Sequence, residues 1–217
     1  MSISRVNISE LKTLFAGDPL ILVPNNRIRI ALLDEYSRLQ KANVFFSPSI
    51  MGIDIWLEDL WLKLGRKGIS PFCDYQILSP VDEKLLWLQI LENSLDKYPL
   101  LNSAEAASSV SHGYRLLRQW QANIDSIPSL SGFLSIPDVS AFSSWITEYR
   151  ESCETHKVLN LVDCIHKLLK AHPRLDPAWL PNDIKLFNFF EPPPIYSALF
   201  EKLSEQKDCE SLFSKQS

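Results

Sequence analysis

Apolar residues along this chain follow two rhythms: short unbroken runs, and stretches where they recur every three or four positions. Leu20–Val23 is an unbroken run of the kind found in an interior parallel strand. Pro24 ends it, having no N–H for a ladder. Asn25 and Asn26 are good helix N-caps, and Ile28, Leu32, Tyr36 and Leu39 then recur at helical spacing. Strand, turn and helix together form the half-unit of an α/β sheet, whose ligands bind at the carboxyl ends of the strands. Ile8, Leu11, Leu14 and Phe15 predict a short helix over residues 7–16 just before this unit. Val44–Phe46 predicts a second strand, stopped by Pro48. Ile53, Trp56, Leu57, Leu60, Trp61 and Leu64 predict a helix ended by Gly65 and Gly68.

From about residue 75 only the helical rhythm continues. Ser79-Pro80-Val81-Asp82 is a strong start signal, with Trp87, Ile90, Leu91 and Leu95 on the buried stripe that follows. Ser103 opens a helix through Ala106, Val110, Tyr114, Leu117 and Trp120 or Gln121. Its Gly113 should cost about 1 kcal/mol against Ala, which points to close packing on a neighbour. Residues 124–137 read as a loop. Asp138 caps a helix carrying Phe142, Trp145, Ile146, Tyr149 and Cys153, and Asn160 caps one carrying Leu161, Ile165, Leu168 and Leu169. Ile184–Phe190 returns to strand character, Pro192-Pro193-Pro194 breaks it, and Ile195, Leu199 and Leu203 begin a last helix. The expected fold is therefore α/β and predominantly helical, with a small parallel sheet. Residues 1–72 and 175–217 would form the α/β domain, and residues 73–174 an inserted helical subdomain.

Composition narrows the class. A chain of 217 residues at 46% hydrophobic can bury a real core. Its net charge of −4 counts mildly against a free-standing nucleic-acid binder but leaves room for a local basic site. Cys73, Cys153, Cys164 and Cys209 are scattered, without the spacing of a disulfide framework. No signal-peptide core follows Arg5 and no apolar run is long enough to span a bilayer, so a cytoplasmic location without membrane contact is expected.

Catalytic chemistry finds little support. None of the six glycines is followed by Lys-Ser or Lys-Thr, so no phosphate-binding loop is present and neither nucleotide nor other cofactor is expected. Ile30–Glu35 imitates an apolar run ending in Asp-Glu, but it lies within an amphipathic helix, where both acids should face solvent. Cys153, His156, Cys164 and His166 do not have zinc spacing; Cys153 reads as core and the histidines as solvent-facing. No nucleophile elbow occurs, and Glu191, at the end of a strand, reads as a loop residue. The tryptophans at 56, 61, 87, 120 and 145 read as core. Arg27 and Arg29 stand out. Cations in a helix's first turn oppose its dipole by up to ~1 kcal/mol each, and a bound phosphate would reverse that.

Several segments together resemble one family. The stretch ILVPNNRIRIALLDEY is similar to a strand–helix "L-x-P-N-x-R-L-A" near the start of AddB-like and RecB-like DNA-repair exonucleases. Pro48-Ser49-Ile50 with Trp56–Trp61, Leu78-Ser79-Pro80 with Leu86-Trp87, and Ala106 to Trp120 resemble successive family segments. Phe142 to Cys153 and Lys185–Pro192 continue the likeness in order. The resemblance implies an inactivated helicase-like region: a degenerate P-loop helicase sheet with a helical insertion. It also implies a nuclease domain of PD-(D/E)XK type that would begin well after Ser217. The chain would then be a truncated, non-catalytic segment, ending just where the next sheet strand should come. Asn25, Asn26, Arg27 and Arg29 would occupy the place of the helicase segment that touches single-stranded DNA phosphates. The expected partners are single-stranded DNA and the remainder of the nuclease; the alternative is a partner protein docked on the helical insert. Asn188 stands where the family has Gly and Phe190 where it has Asp, so loss of a tight turn is expected there.

Overall fold

The computed structural model describes residues 8–40, 46–99, 102–124, 137–172, 176–206 and 208–212. The fold is α/β and mostly helical, with a small parallel sheet. The chain divides into two compact units at Lys67/Gly68 and Ala171/His172, with Pro193–Tyr196 grouped with the second.

The first unit is built on strands β1 (Leu20–Val23), β2 (Ile50–Gly52), β5 (Asp183–Phe187) and β6 (Asp208–Leu212). They pair in the order β2-β1-β5-β6, each pair parallel, with Ile21 opposite both Ile50 and Lys185. Ile21, Leu22 and Val23 are all fully buried, as an unbroken apolar run requires when helices cover both faces of a sheet. Ile21 and Val23 point to one face and join Leu11 and Leu14 of helix α1 (Ile8–Leu14) and Leu32 of α2 (Asn26–Leu39) in one apolar cluster. Helix α3 (Ile53–Arg66) buries the six apolar positions expected of it. It runs through Gly65, and the left-handed residue beyond its end is Gly68 at φ +71°. Helix α8 (Pro194–Gln206) buries Ile195, Leu199 and Leu203.

Two strand expectations change. Residues 44 and 45 lie outside the described residues, Phe46 is exposed and not in a strand, and the second strand is Ile50–Gly52. The chain does not stop short of the next strand either: β6 runs alongside β5, from Asp183 opposite Asp208 to Phe187 opposite Leu212.

The second unit holds α4 (Pro80–Asn93), α5 (Ser103–Gln119), α6 (Pro137–His156) and α7 (Leu161–Ala171). It is not helical throughout, because Gln76–Ile77 (β3) and Val158–Leu159 (β4) pair as a two-residue parallel ladder. Ser79 caps α4 by accepting from the Asp82 N–H, with Pro80 at the first position. Helix α5 opens at Ser103 as expected, with Asn102 as its cap. Asn160 caps the start of α7 by accepting from the Asp163 N–H at 2.8 Å. The cap expected of Asp138 is not made, since Asp138 lies inside the first turn of α6. The core centres on Trp87 stacked on Tyr149 at 4.0 Å, with Tyr114 edge-on to Tyr149. A Cβ at Gly113 would stand 3.1 Å from the Phe142 ring, so the glycine does mark where α5 and α6 approach closely. Trp56, Trp61, Trp87 and Trp145 are core residues, but Trp120 is 62% exposed. Helix α5 ends at Gln119 and Gln121 turns left-handed at φ +55°, so Trp120 leaves the helical face before the period brings it inward. Among the described residues no helix is long and apolar enough to cross a membrane.

Candidate functional site

In the first unit, β1 leads through α2 to β2 on one side, and β5 leads through α8 to β6 on the other. The strand order therefore reverses between β1 and β5. The crevice outside their carboxyl ends is the switch point where ligands bind in open parallel sheets. One wall is Pro24-Asn25-Asn26-Arg27. The other is the segment after Phe187, where Asn188 takes φ +63° and Glu191 φ +41°. Asn188 thus adopts the left-handed conformation that glycine favours, because asparagine tolerates that region better than most residues.

All four residues singled out from the sequence lie at this edge, in different roles. Asn25 caps α2, its Oδ1 accepting from the Ile28 N–H at 3.0 Å. Asn26 Oδ1 accepts from Arg29 Nη1 at 3.2 Å. Arg29 Nε donates to the Ile50 carbonyl at 3.2 Å. Since the Ser49 carbonyl faces β1, alternation places the Ile50 carbonyl on the outer side of β2, where Arg29 covers an open sheet edge. The Arg27 side chain is exposed and makes no hydrogen bond or ion pair among the described residues. Both carboxamide oxygens are thus turned inward, which directs the Asn25 and Asn26 NH2 groups away from those contacts. The first turn of α2 contains no acid. Its unbonded N–H groups, two carboxamide donors and the Arg27 guanidinium make a surface of donors with no carboxylate in its own helical turn. Asp34 and Glu35, further along the helix, pair with Arg38.

The second unit contains a site the sequence did not reveal: a cleft of about 520 Å³ among α5, α6 and α7. At its base Asp163, 9% exposed, accepts from the Tyr114 hydroxyl at 2.8 Å and from Arg118 Nε at 2.6 Å. Burial and the Asp163 charge push the Tyr114 hydroxyl pKa far up, so it stays a proton donor. Burial likewise raises the Cys153 thiol to about 12, leaving it unreactive. His166, expected in solvent, is partly buried, and its Nε2 donates to the Arg118 carbonyl at 2.9 Å. Burial and then the Arg118 charge lower its pKa, which favours a neutral ring with a lone pair on Nδ1. Towards the rim, Glu154 accepts from Lys167 at 2.8 Å and from the Tyr75 hydroxyl at 2.7 Å. Those bonds, Lys167 first, hold its carboxyl at about 2. Lys167 also sits 3.8 Å from the Tyr75 ring centroid.

The four residues weighed as metal ligands remain apart in function. Cys153 and Cys164 are buried and outside any disulfide, His156 bonds to Ser152, and His166 bonds as above. Among the described residues no group of three or more His, Cys, Asp or Glu side chains is placed to hold a metal ion. The clustering of Tyr114, Arg118, Asp163 and His166 depends on two helices about 45 residues apart in sequence, and only the i, i+3 and i, i+4 spacings within each helix were readable.

No protein-family model matches this chain, and no curated protein matches it.

Proposed function

We propose that this chain is a non-catalytic, helicase-like segment of a DNA-repair exonuclease. Its α/β unit is of degenerate P-loop helicase type and contacts single-stranded DNA phosphates at the carboxyl edge of β1. The observation that carries this reading is the donor surface at the start of α2, beside the switch point of the parallel sheet. Asn25 and Asn26 offer their NH2 groups, and Arg27 supplies the exposed charge. Arg29, already bonded to Ile50 and Asn26, holds the turn in place and is not a primary contact. Contact with the remainder of the nuclease is part of the same reading, as is a reducing cytoplasmic setting, which suits buried cysteines such as Cys153 and Cys164 that form no disulfide.

Fluorescence anisotropy with a labelled oligothymidylate at low salt tests this. Weak binding is expected, with Kd on the order of 10⁻⁴–10⁻⁶ M and falling affinity as salt rises. Arg27→Glu should weaken binding and make the log–log salt slope shallower by about 1. No binding, or binding indifferent to Arg27→Glu, overturns the DNA part. One observation favours a second reading, a protein partner on the helical unit: Leu116 and Trp120, four residues apart on α5 and its cap, are both exposed. A defined partner bound through Trp120, in a chain that does not bind DNA, would establish it.

A further inference from the structure

The cleft in the second unit contains an arginine that is anchored but not fully used. Arg118 lines the cavity, its side chain one-quarter exposed, and its single described side-chain bond runs from Nε to Asp163. Both Nη groups are left without a hydrogen-bond partner among the described residues. We propose that this cleft binds a small molecule bearing a phosphate or carboxylate, received by the two Nη groups of Arg118.

Three features support this. First, the guanidinium is pre-oriented. Asp163 holds it by the inner edge, while Tyr114 and the Asn160 cap hold Asp163 and its helix. A planar fork fixed at one edge presents its other donors in the geometry that oxyanions accept in pairs. Second, the charge balance suits an anion. Arg118, Arg150, Lys167 and Lys170 line the cleft against Glu151, Glu154 and Asp163, and two of those acids are already paired. Lys170 is exposed, one turn beyond His166, and forms no ion pair among the described residues. An exposed lysine beside the Arg118 fork, on a chain of net charge −4, is a local feature and not a general basic surface. Third, the volume of about 520 Å³ falls within the range of small-molecule sites, which runs from roughly 300 to 1,000 Å³. His166 adds a signature. Its ring is held neutral by burial and by Arg118, and an anion seated beside Arg118 would offset both effects and favour protonation.

The test is titration of the full chain with inorganic phosphate, pyrophosphate and citrate at constant ionic strength, read by calorimetry and by the ring resonances of His166. Saturable binding is expected for at least one probe, with the His166 titration moving to higher pH when the probe is present. Phosphate or pyrophosphate alone binding would assign a phosphorylated ligand, and citrate alone a carboxylate. Arg118→Lys keeps a cation for Asp163 but removes the fork; it should weaken binding about tenfold or more, the loss of one charge-assisted hydrogen bond. Lys170→Glu, at an exposed position that does not endanger folding, should weaken it several-fold. No saturable binding by any probe overturns the proposal. So does binding that leaves the His166 titration unmoved and is unchanged in Lys170→Glu, which would mark an adventitious ion only.

Discussion

Lys185 interrupts the apolar run Ile184–Phe187 of β5 in the middle of the sheet and is only 6% exposed. Its described partners are carbonyls. Nζ donates to the Thr13 carbonyl at 2.8 Å and more weakly to the Ala16 carbonyl at 3.4 Å. These lie at the end of α1, where the Thr13 carbonyl also accepts from the Ala16 N–H at 3.3 Å and the negative end of the helix dipole sits. The lysine thus ties α1 to β5. Lys185→Met keeps a stem of similar length and removes the donor. The lost charge-assisted bond at 2.8 Å is worth about 1.5–3 kcal/mol, and the longer one little. Loss of the dipole interaction adds about 0.3–1 kcal/mol. Against this, methionine avoids burying an ammonium and gains apolar burial, an offset of about 1–2 kcal/mol. The net expectation is a destabilisation of about 0–3 kcal/mol with a midpoint of about 1.5 kcal/mol, concentrated in the first unit. Hydrogen–deuterium exchange separates this local effect from a general one: amides of α1 and β5 should lose protection while those of α5 and α7 keep theirs. A Met variant as stable as the parent, with α1 protection intact, would refute the reasoning, because the ammonium would then be a tolerated burden and not a tie.

Other substitutions test the second unit and the switch-point turn. Tyr114→Phe removes a donor from the buried Asp163 carboxylate and should lower stability by about 1.5–3 kcal/mol in denaturant melts; a change below about 0.5 kcal/mol would show that the carboxylate is satisfied without it. Asn188→Ala should cost about 1 kcal/mol at φ +63°, whereas Asn188→Gly should be neutral or slightly stabilising; equal melts for the two variants would show that the turn relaxes. Glu154 has a folded pKa of about 2 against an ordinary 4.5, so the stability it adds is complete above pH 4.5 and is lost as pH falls towards 2. Because its side chain is 55% exposed, screening limits that contribution to about 1 kcal/mol or less. Glu154→Gln should therefore melt lower than the parent at neutral pH and together with it near pH 2; a gap that persists at the acid end would contradict the assignment.

What could be read from the sequence was mainly local. Asn25 and Ser79 act as caps because a cap needs only its own first turn, and Gly113 betrayed a close helix contact because a mid-helix glycine is otherwise unfavourable. Strand β2 was misplaced because three residues carry no period; their pairing with Ile21–Val23 defines them. Strands β3 and β4 are shorter still, and β6, reading DCESL, lacks the apolar run that marked β1. Lys185 and His166 could not be interpreted because their partners, Thr13 and the Arg118 carbonyl, lie 172 and 48 residues away. Trp120 was misread because periodicity does not announce where a helix stops.

The same distinction between local and long-range information bears on the strength of the DNA reading. In the sequence Arg27 and Arg29 look alike: two cations opposing one dipole, each either reaching into solvent or offset by a bound phosphate. The fold separates them. Arg29 offsets its unfavourable position with bonds to the Ile50 carbonyl and to Asn26, so it needs no ligand. By occupying the Asn26 oxygen, it also leaves that carboxamide with only donors to offer. Asn25 loses its oxygen to the Ile28 N–H in the same way. Arg29 therefore contributes to an anion site indirectly, by setting the polarity of its neighbour, while the charge itself comes from Arg27. The case for phosphate contact accordingly rests on Arg27 and on two amide groups whose orientation is fixed by structural bonds, and it stands or falls with Arg27→Glu.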